Sequence, residues 1–301
     1  MKSIFINIAG YHDYELPKTI NNLIHQSSGK YNLFFGVHSV FEDKDNIDMP
    51  ILDNVRYIAS KAPANLGPGV GRYMAHTLYD NEDYYMVIDS HSRFIKNWDD
   101  ILINDVIYYQ SIGHKKPVLT CYPAAYEYDN LGNEIFHPND VVGNIVFKKD
   151  DESINNFKNF LNVKNQVVSQ TSKYQKSISG GFTFTVYPYI NLNKYIGFEE
   201  EFSVGAMLYT NGFDLLVPSV LPIYHYYSDP RAGVFEQYNR RGCWQYENNL
   251  SSLYKTLKIS QDTIYNMFNS NIVDKYYLGK ERSLKEYAEY AGLNFDTREI
   301  I

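Results

Sequence analysis

Short apolar runs alternate with helix-like segments through the first half of the chain. That alternation constrains the fold more than any other feature of the sequence. Ile4 to Ala9 is an apolar, β-prone run of the kind that forms a buried strand. Leu16 to His25 has helical spacing, with Pro17 in the first turn, where its missing N–H is not needed. Asn32 to Val37 and Val55 to Ala59 read as further strands, Val70 to Leu78 as a helix, and Asp83 to Ile88 as a strand ending at Asp89. Trp98, Ile101, Leu102, Val106, Tyr109 and Ile112 then share one side of a helical wheel. Strand and helix in alternation predict an α/β fold, with a Rossmann-like, mostly parallel sheet flanked by helices.

The second half is less regular. Asp129-Asn130-Leu131-Gly132-Asn133 signals a turn, and Ser153 to Lys176 is polar and reads as peripheral. Gly180-Gly181 precedes the alternating run Phe182 to Val186, which reads as a strand. Glu199 to Thr210 reads as a helix stopped by Asn211-Gly212. Asp214 to Tyr226 holds two short strands, and helices are expected from about Val234 onward, Ser283 to Tyr290 among them. No internal repeat or low-complexity linker interrupts the chain. The expected organisation is one main domain over 1–230, with a helical C-terminal extension, 231–301, packed on it.

Composition narrows the partners. The net charge is −7, so the strongly basic footprint of a non-specific nucleic-acid binder is absent, although a local basic groove stays open. The 29 tyrosines are in excess, and their flat apolar bodies with polar tips suit a wet, grooved, carbohydrate-like surface as well as a core. Cys121 and Cys243 are too few for a disulfide framework, which favours a reducing compartment. The apolar run at the N-terminus is too short for a signal peptide, and no run reaches the roughly 18 residues of a spanning helix. These features predict a soluble, cytoplasmic protein without a membrane span.

The chemistry gathers around Asp89 and His91. In open α/β sheets, ligands bind beyond the carboxyl ends of strands, and Asp89 sits at such an end. Residues two apart in an extended chain point to opposite faces, but a turn directly after the strand would bring this carboxylate and imidazole onto one ion, a pair suited to Mn²⁺ or a related divalent ion such as Mg²⁺. The same tripeptide also fits a plain strand-end turn with an Asp cap. Gly67-Pro68-Gly69-Val70-Gly71-Arg72 lets backbone approach a phosphate at a helix N-terminus, with Arg72 able to pair with a diphosphate. A helix-opening turn with a surface arginine is the alternative there.

The stretch Asp89-Ser90-His91-Ser92-Arg93-Phe94-x-x-x-Trp98-Asp99 resembles the donor-metal motif of glycosyltransferase family 60, which transfers N-acetylglucosamine to hydroxyproline in the cytosol. It is also similar to the Asp-Ser-His motif of the polypeptide N-acetylgalactosaminyltransferases. The resemblance implies a GT-A fold, a UDP-sugar donor, Mn²⁺ or Mg²⁺, and retention of the anomeric configuration. It implies His225, in Pro222-Ile223-Tyr224-His225-Tyr226-Tyr227, as the third metal ligand beside Asp89 and His91. Ser179-Gly180-Gly181-Phe182 is similar to a glycine-bearing strand near the donor sugar, which places Gly180 and Gly181 in the donor site. Gly197-Phe198-Glu199-Glu200-Glu201-Phe202 resembles an acidic segment with glycine where this chain has Glu199. That departure leaves open which acid faces the sugar, with Glu200 and Glu201 preferred as catalytic residues together with Arg72. Ala9, Tyr11 and Asp13 after the first strand, Ser90 within the motif, and Arg231 beyond His225 complete the expected nucleotide-sugar contacts. Tyr11 would stack on the base and Asp13 would hold base or ribose. The expected acceptor is a hydroxyl on protein. Alternatives are a glycan, a hydroxylated DNA base as used by phage transferases, a non-catalytic carbohydrate-binding module and a metal-dependent hydrolase.

Overall fold

The computed structural model describes residues 1–41, 49–50, 52–61, 67–138, 141–149, 163–188, 200–227, 250–269, 278–295, 297 and 299–301. The first half alternates as the periodicity predicts: β1 (Ser3–Tyr11), α1 (Leu16–Gln26), β2 (Asn32–Phe41), β3 (Val55–Lys61), α2 (Gly67–His76), β4 (Tyr84–Asp89), β5 (Ser92–Phe94) and α3 (Trp98–Ser111). Then follow β6 (Pro117–Thr120), β7 (Ala124–Tyr128), β8 (Glu134–Phe136), β9 (Asn144–Lys149), β10 (Val163–Val168), β11 (Phe182–Thr185), α4 (Glu200–Thr210), β12 (Asp214–Leu216) and β13 (Ile223–Tyr226). The C-terminal part adds α5 (Leu250–Asn269), α6 (Leu284–Ala291), β14 (Leu293–Asn294) and β15 (Glu299–Ile300).

The main sheet has seven strands in the order β12-β6-β11-β4-β1-β2-β3. β1 pairs in parallel with both β2 and β4. Its residues alternate between the two faces, as strand geometry requires. Ile4, Ile6 and Ile8 pack with Leu16, Ile20 and Leu23 of α1 and Trp98, Leu102 and Val106 of α3. Phe5 turns to the other face and joins Tyr85, Val118, Val204 and Leu208. Both faces are covered, so β1 and β4 carry near-continuous apolar runs.

Several expectations need correction. Ile112 falls just beyond α3 and is 46% exposed, while Ile103, outside the expected face, is buried with Trp98, Leu102, Val106 and Tyr109. β11 runs antiparallel to both β4 and β6, a pairing that strand periodicity does not encode. The polar stretch expected at the periphery instead contributes β10, paired antiparallel with β9, and the fully buried Gln175. The Gln175 amide accepts from Ile145 N–H at 2.6 Å and donates to the Thr120 carbonyl at 3.0 Å, so it stands in for backbone.

A second sheet, β5-β13-β7-β8, lies beyond the carboxyl end of β4. At the C-terminus, Ile264, Met267, Phe268, Tyr287 and Ala291 share a core cluster with Phe202, Ala206 and Met207 of α4. Ser283 and Glu286 form a capping box at the start of α6, and Gly292 ends it at φ +73°. The antiparallel pair β14–β15 adds a hairpin to a tail expected to be helical. The expected domain boundary near residue 230 lies outside the described residues. Among the described residues, no helix is long and apolar enough to cross a membrane.

Candidate active site

β4 delivers Asp89 to the rim of the main sheet, and the chain turns at once into β5. The Ser92 hydroxyl donates to the Asp89 carbonyl at 2.9 Å and closes that turn. β13 lies antiparallel to β5 with His225 opposite Ser92. The Tyr226 N–H donates to the His91 carbonyl at 3.1 Å, so one backbone hydrogen bond links the two histidine-bearing segments. The turn and the strand pairing together bring Asp89, His91 and His225 to one point.

Asp89, His91 and His225 each offer a ligand atom, and these atoms all lie within 4.8 Å of one another. His91 Nε2 is 2.7 Å from His225 Nε2, and His225 Nε2 is 3.1 Å from Asp89 Oδ2. Two imidazole nitrogens and a carboxylate oxygen make a donor set that could hold a divalent metal ion. The histidine side chains are about nine-tenths buried, while Asp89 stays 29% exposed, which leaves the cluster open on one side.

Arg72 enters from α2. Its Nη2 donates to Asp89 Oδ1 at 2.9 Å and to the Gly180 carbonyl at 2.6 Å. Burial alone would raise the Asp89 carboxyl, but the His225 hydrogen bond and the Arg72 charge outweigh it and hold the group well below the usual carboxylate range. The expected surface alternative for Arg72 does not hold, since the side chain is only 6% exposed. Gly181 closes the cluster from the β11 side. A Cβ there would stand 3.1 Å from Asp89 Oδ2 and 3.7 Å from His225 Cδ2.

Glu201, at the start of α4, holds that glycine pair. Its Oε1 accepts from the Gly180 N–H at 2.9 Å, and its Oε2 accepts from the Tyr122 hydroxyl at 2.5 Å and Asn165 Nδ2 at 2.9 Å. Burial, reinforced by the negative charge of Asp89, raises the Glu201 carboxyl despite these bonds. Tyr122 and Asn165 were not expected at the site. Tyr122 follows the carboxyl end of β6, which is the one sequence signal that could have found it.

Two expected nucleotide contacts are redirected. Asp13 is 2% exposed and turns inward: Oδ1 accepts from the Glu15 N–H at 3.0 Å, and Oδ2 from the Ser90 hydroxyl at 2.5 Å. Ser90 is equally buried and donates to Asp13 instead of facing open space. The same Asp13 Oδ2 lies 2.8 Å from His91 Nδ1. Ala9 and Tyr11, at the end of β1, keep partial exposure on the rim. Glu199 and Arg231 lie outside the described residues, as does the side chain of Glu200.

Beneath the site is a buried charge network that the sequence did not reveal. Arg93, 2% exposed, donates through Nη2 to Glu15 Oε2 at 2.5 Å and through Nε to Glu134 Oε1 at 2.8 Å. The Tyr126 and Tyr128 hydroxyls also donate to Glu15 Oε2, at 3.0 and 2.8 Å. This network ties β5 to the loop before α1 and to the β7–β8 hairpin.

The mostly parallel sheet flanked by helices, with Asp89, His91 and His225 gathered at its rim, is a fold of the GT-A class. A solved structure supports that fold. The chain is similar to GalNAc-T7, whose crystal structure contains UDP, GalNAc and Mn²⁺, with 14% identity over 99% of this chain and 57% of that one, at a TM-score of 0.55. It is also similar to S. aureus TarS 1–349 in complex with UDP-GlcNAc, with 13% identity over 97% of this chain and 71% of that one, at a TM-score of 0.49. The chain thus spans just over half the length of the GalNAc-T7 chain. No curated protein matches it. The family model for Glycosyltransferase (GlcNAc) matches residues 41–297, and the chain belongs to that family.

Proposed function

We propose that this chain is a metal-dependent, retaining glycosyltransferase. It moves N-acetylglucosamine or a related hexose from a UDP-sugar to an acceptor hydroxyl on protein. The observation that carries the proposal is the convergence of Asp89, His91 and His225 at the carboxyl end of β4 in a GT-A fold. The likeness of fold to GalNAc-T7, whose structure holds UDP and Mn²⁺, supports the same ligand classes here. Retention rests on the resemblance of the Asp-x-His motif and the later histidine to retaining families. Membership in a family named for GlcNAc supports the donor sugar. The buried free thiol of Cys121 is in keeping with a reducing, cytoplasmic setting.

Asp89, His91 and His225 would hold Mn²⁺ or Mg²⁺, which supplies Lewis-acid neutralisation of the diphosphate leaving group. Arg72, already beside Asp89, adds a second positive charge on the same side. Gly181 keeps the space beside Asp89 free of a side chain, and Glu201 sets the backbone of the preceding Gly180 through its N–H. Glu200, next to it on α4, is the candidate for direct sugar contact. The acceptor hydroxyl attacks from the face the leaving group departs, and its proton passes to the leaving phosphate. A panel of UDP-sugars with Mn²⁺, followed by mass spectrometry, tests the reading. The expected result is slow conversion of UDP-GlcNAc to UDP, lost with EDTA and in Asp89→Ala. Equal turnover with EDTA and in the variant would exclude this assignment.

A further inference from the structure

We propose that Asp13 is a positioning residue for His91: its carboxylate fixes the ring so that the Nε2 lone pair faces Asp89 and His225. The proposal rests on the metal-site reading above and extends it to a residue expected at the nucleotide. Asp13 lies between β1 and α1, remote in sequence from His91, and is 2% exposed. Its own orientation is fixed first. The Glu15 N–H donates to Oδ1 at 3.0 Å, and the Ser90 hydroxyl donates to Oδ2 at 2.5 Å. The Asp13 carbonyl accepts from the Leu16 N–H at 3.3 Å, which seats the residue at the entrance to α1.

Oδ2 of this fixed carboxylate is 2.8 Å from His91 Nδ1. A carboxylate oxygen at this distance accepts from the ring, which favours the tautomer with the proton on Nδ1. A neutral imidazole has one N–H, and Nε2 is then left as a lone pair aimed at the cluster. Histidine ligands are commonly oriented by such a carboxylate, which also raises their basicity. His225 has no equivalent: its Nδ1 is buried and makes no hydrogen bond among the described residues. The site therefore has one imidazole oriented by a carboxylate at Nδ1 and one, His225, held through Nε2, its strand and the Tyr227 ring 4.2 Å away. Losing Asp13 would remove the 2.8 Å contact that orients His91 and leave the longer 3.3 Å contact from Ser90 Oγ at Nδ1.

The test measures Mn²⁺ affinity without nucleotide, by electron paramagnetic resonance of the free ion, in wild type, Asp13→Ala, Asp13→Asn and His91→Ala. Asp13→Ala is expected to weaken Mn²⁺ binding about 10- to 100-fold. Asp13→Asn keeps one oxygen that can accept from Nδ1 and should recover part of the Mn²⁺ affinity lost in Asp13→Ala. Equal affinity in wild type and Asp13→Ala, with His91→Ala impaired, overturns the proposal and leaves the metal site standing. Absent Mn²⁺ binding in wild type overturns the metal site itself. Long-range ¹⁵N spectra of metal-free wild type decide the positioning role without any variant. A His91 proton on Nδ1 is expected, and a proton on Nε2 overturns the role whether or not metal binds.

Discussion

Arg93→Ala should be among the most damaging single changes in the chain, although Arg93 does not touch the candidate metal site. The guanidinium is 2% exposed and sits 2.5 Å from Glu15, whose side chain is 6% exposed. Its other partner, Glu134, is 31% exposed, so water screens that half of the network and it contributes about 1 kcal/mol at most. The Glu15 half decides the outcome. Without Arg93, Glu15 keeps, among the described residues, Lys18, itself 45% exposed, and the Tyr126 and Tyr128 hydroxyls. Leaving one member of a buried pair uncompensated costs about 3–5 kcal/mol.

The sign of the pH dependence follows from Glu15. Burial raises its carboxyl, but Arg93, Lys18 and Tyr128 outweigh burial and bring it below the ordinary value of 4.5. Such a group stabilises the fold above its unfolded value, and the contribution is lost as pH falls through the lower folded value. In Arg93→Ala, burial dominates and the carboxyl takes up a proton readily, which relieves the uncompensated charge. Urea unfolding should therefore show a large gap between wild type and variant near pH 7 that narrows toward pH 4. The double change Arg93→Met with Glu15→Gln should recover most of the lost stability, because it removes both charges. A gap that stays constant across that pH range, with no recovery in the double variant, would refute the reasoning.

Three further outcomes follow from the same geometry. Arg72→Ala should weaken UDP binding by calorimetry about 10- to 100-fold, the value of a charge-assisted hydrogen bond, while Mn²⁺ affinity without nucleotide does not fall, because Asp89 is released from its ion pair. Gly36→Ala would place a Cβ 2.1 Å from Phe5 Cζ and 2.7 Å from the Ala75 carbonyl oxygen; denaturant melts should register a loss of about 1–3 kcal/mol or more. Glu201 is raised above its ordinary 4.5, so its contribution to stability is greatest at acidic pH and declines as pH rises; Glu201→Gln should flatten that decline, measured as unfolding free energy between about pH 5 and 8.

The half-buried and fully buried strands of the first half were legible because their apolar periods are local. Ile4 to Ala9 reads as a buried strand from its own residues, and Asp89 is placed at a sheet rim by the same logic. What could not be read depends on long-range pairing. No local pattern says that β11 inserts antiparallel between β4 and β6, or that β13 lies against β5 so that His225 meets His91. His225 was reached through family resemblance, and the strand register shows how it arrives. Buried polar residues were the second blind spot. Asp13, Gln175 and Arg93 look like surface residues by hydropathy, yet each is buried because its partners come from remote segments. Satisfied burial of this kind is a property of the folded arrangement, not of the residue type.

The central claim is that Asp89, His91 and His225 hold a divalent ion that receives the diphosphate of a nucleotide. Calorimetric titration of UDP into wild type with Mn²⁺, and again with EDTA, tests it most directly. The account predicts clear binding with Mn²⁺, binding lost or strongly weakened with EDTA, and the same loss in His225→Ala with Mn²⁺ present. UDP binding of equal strength in all three conditions would contradict it.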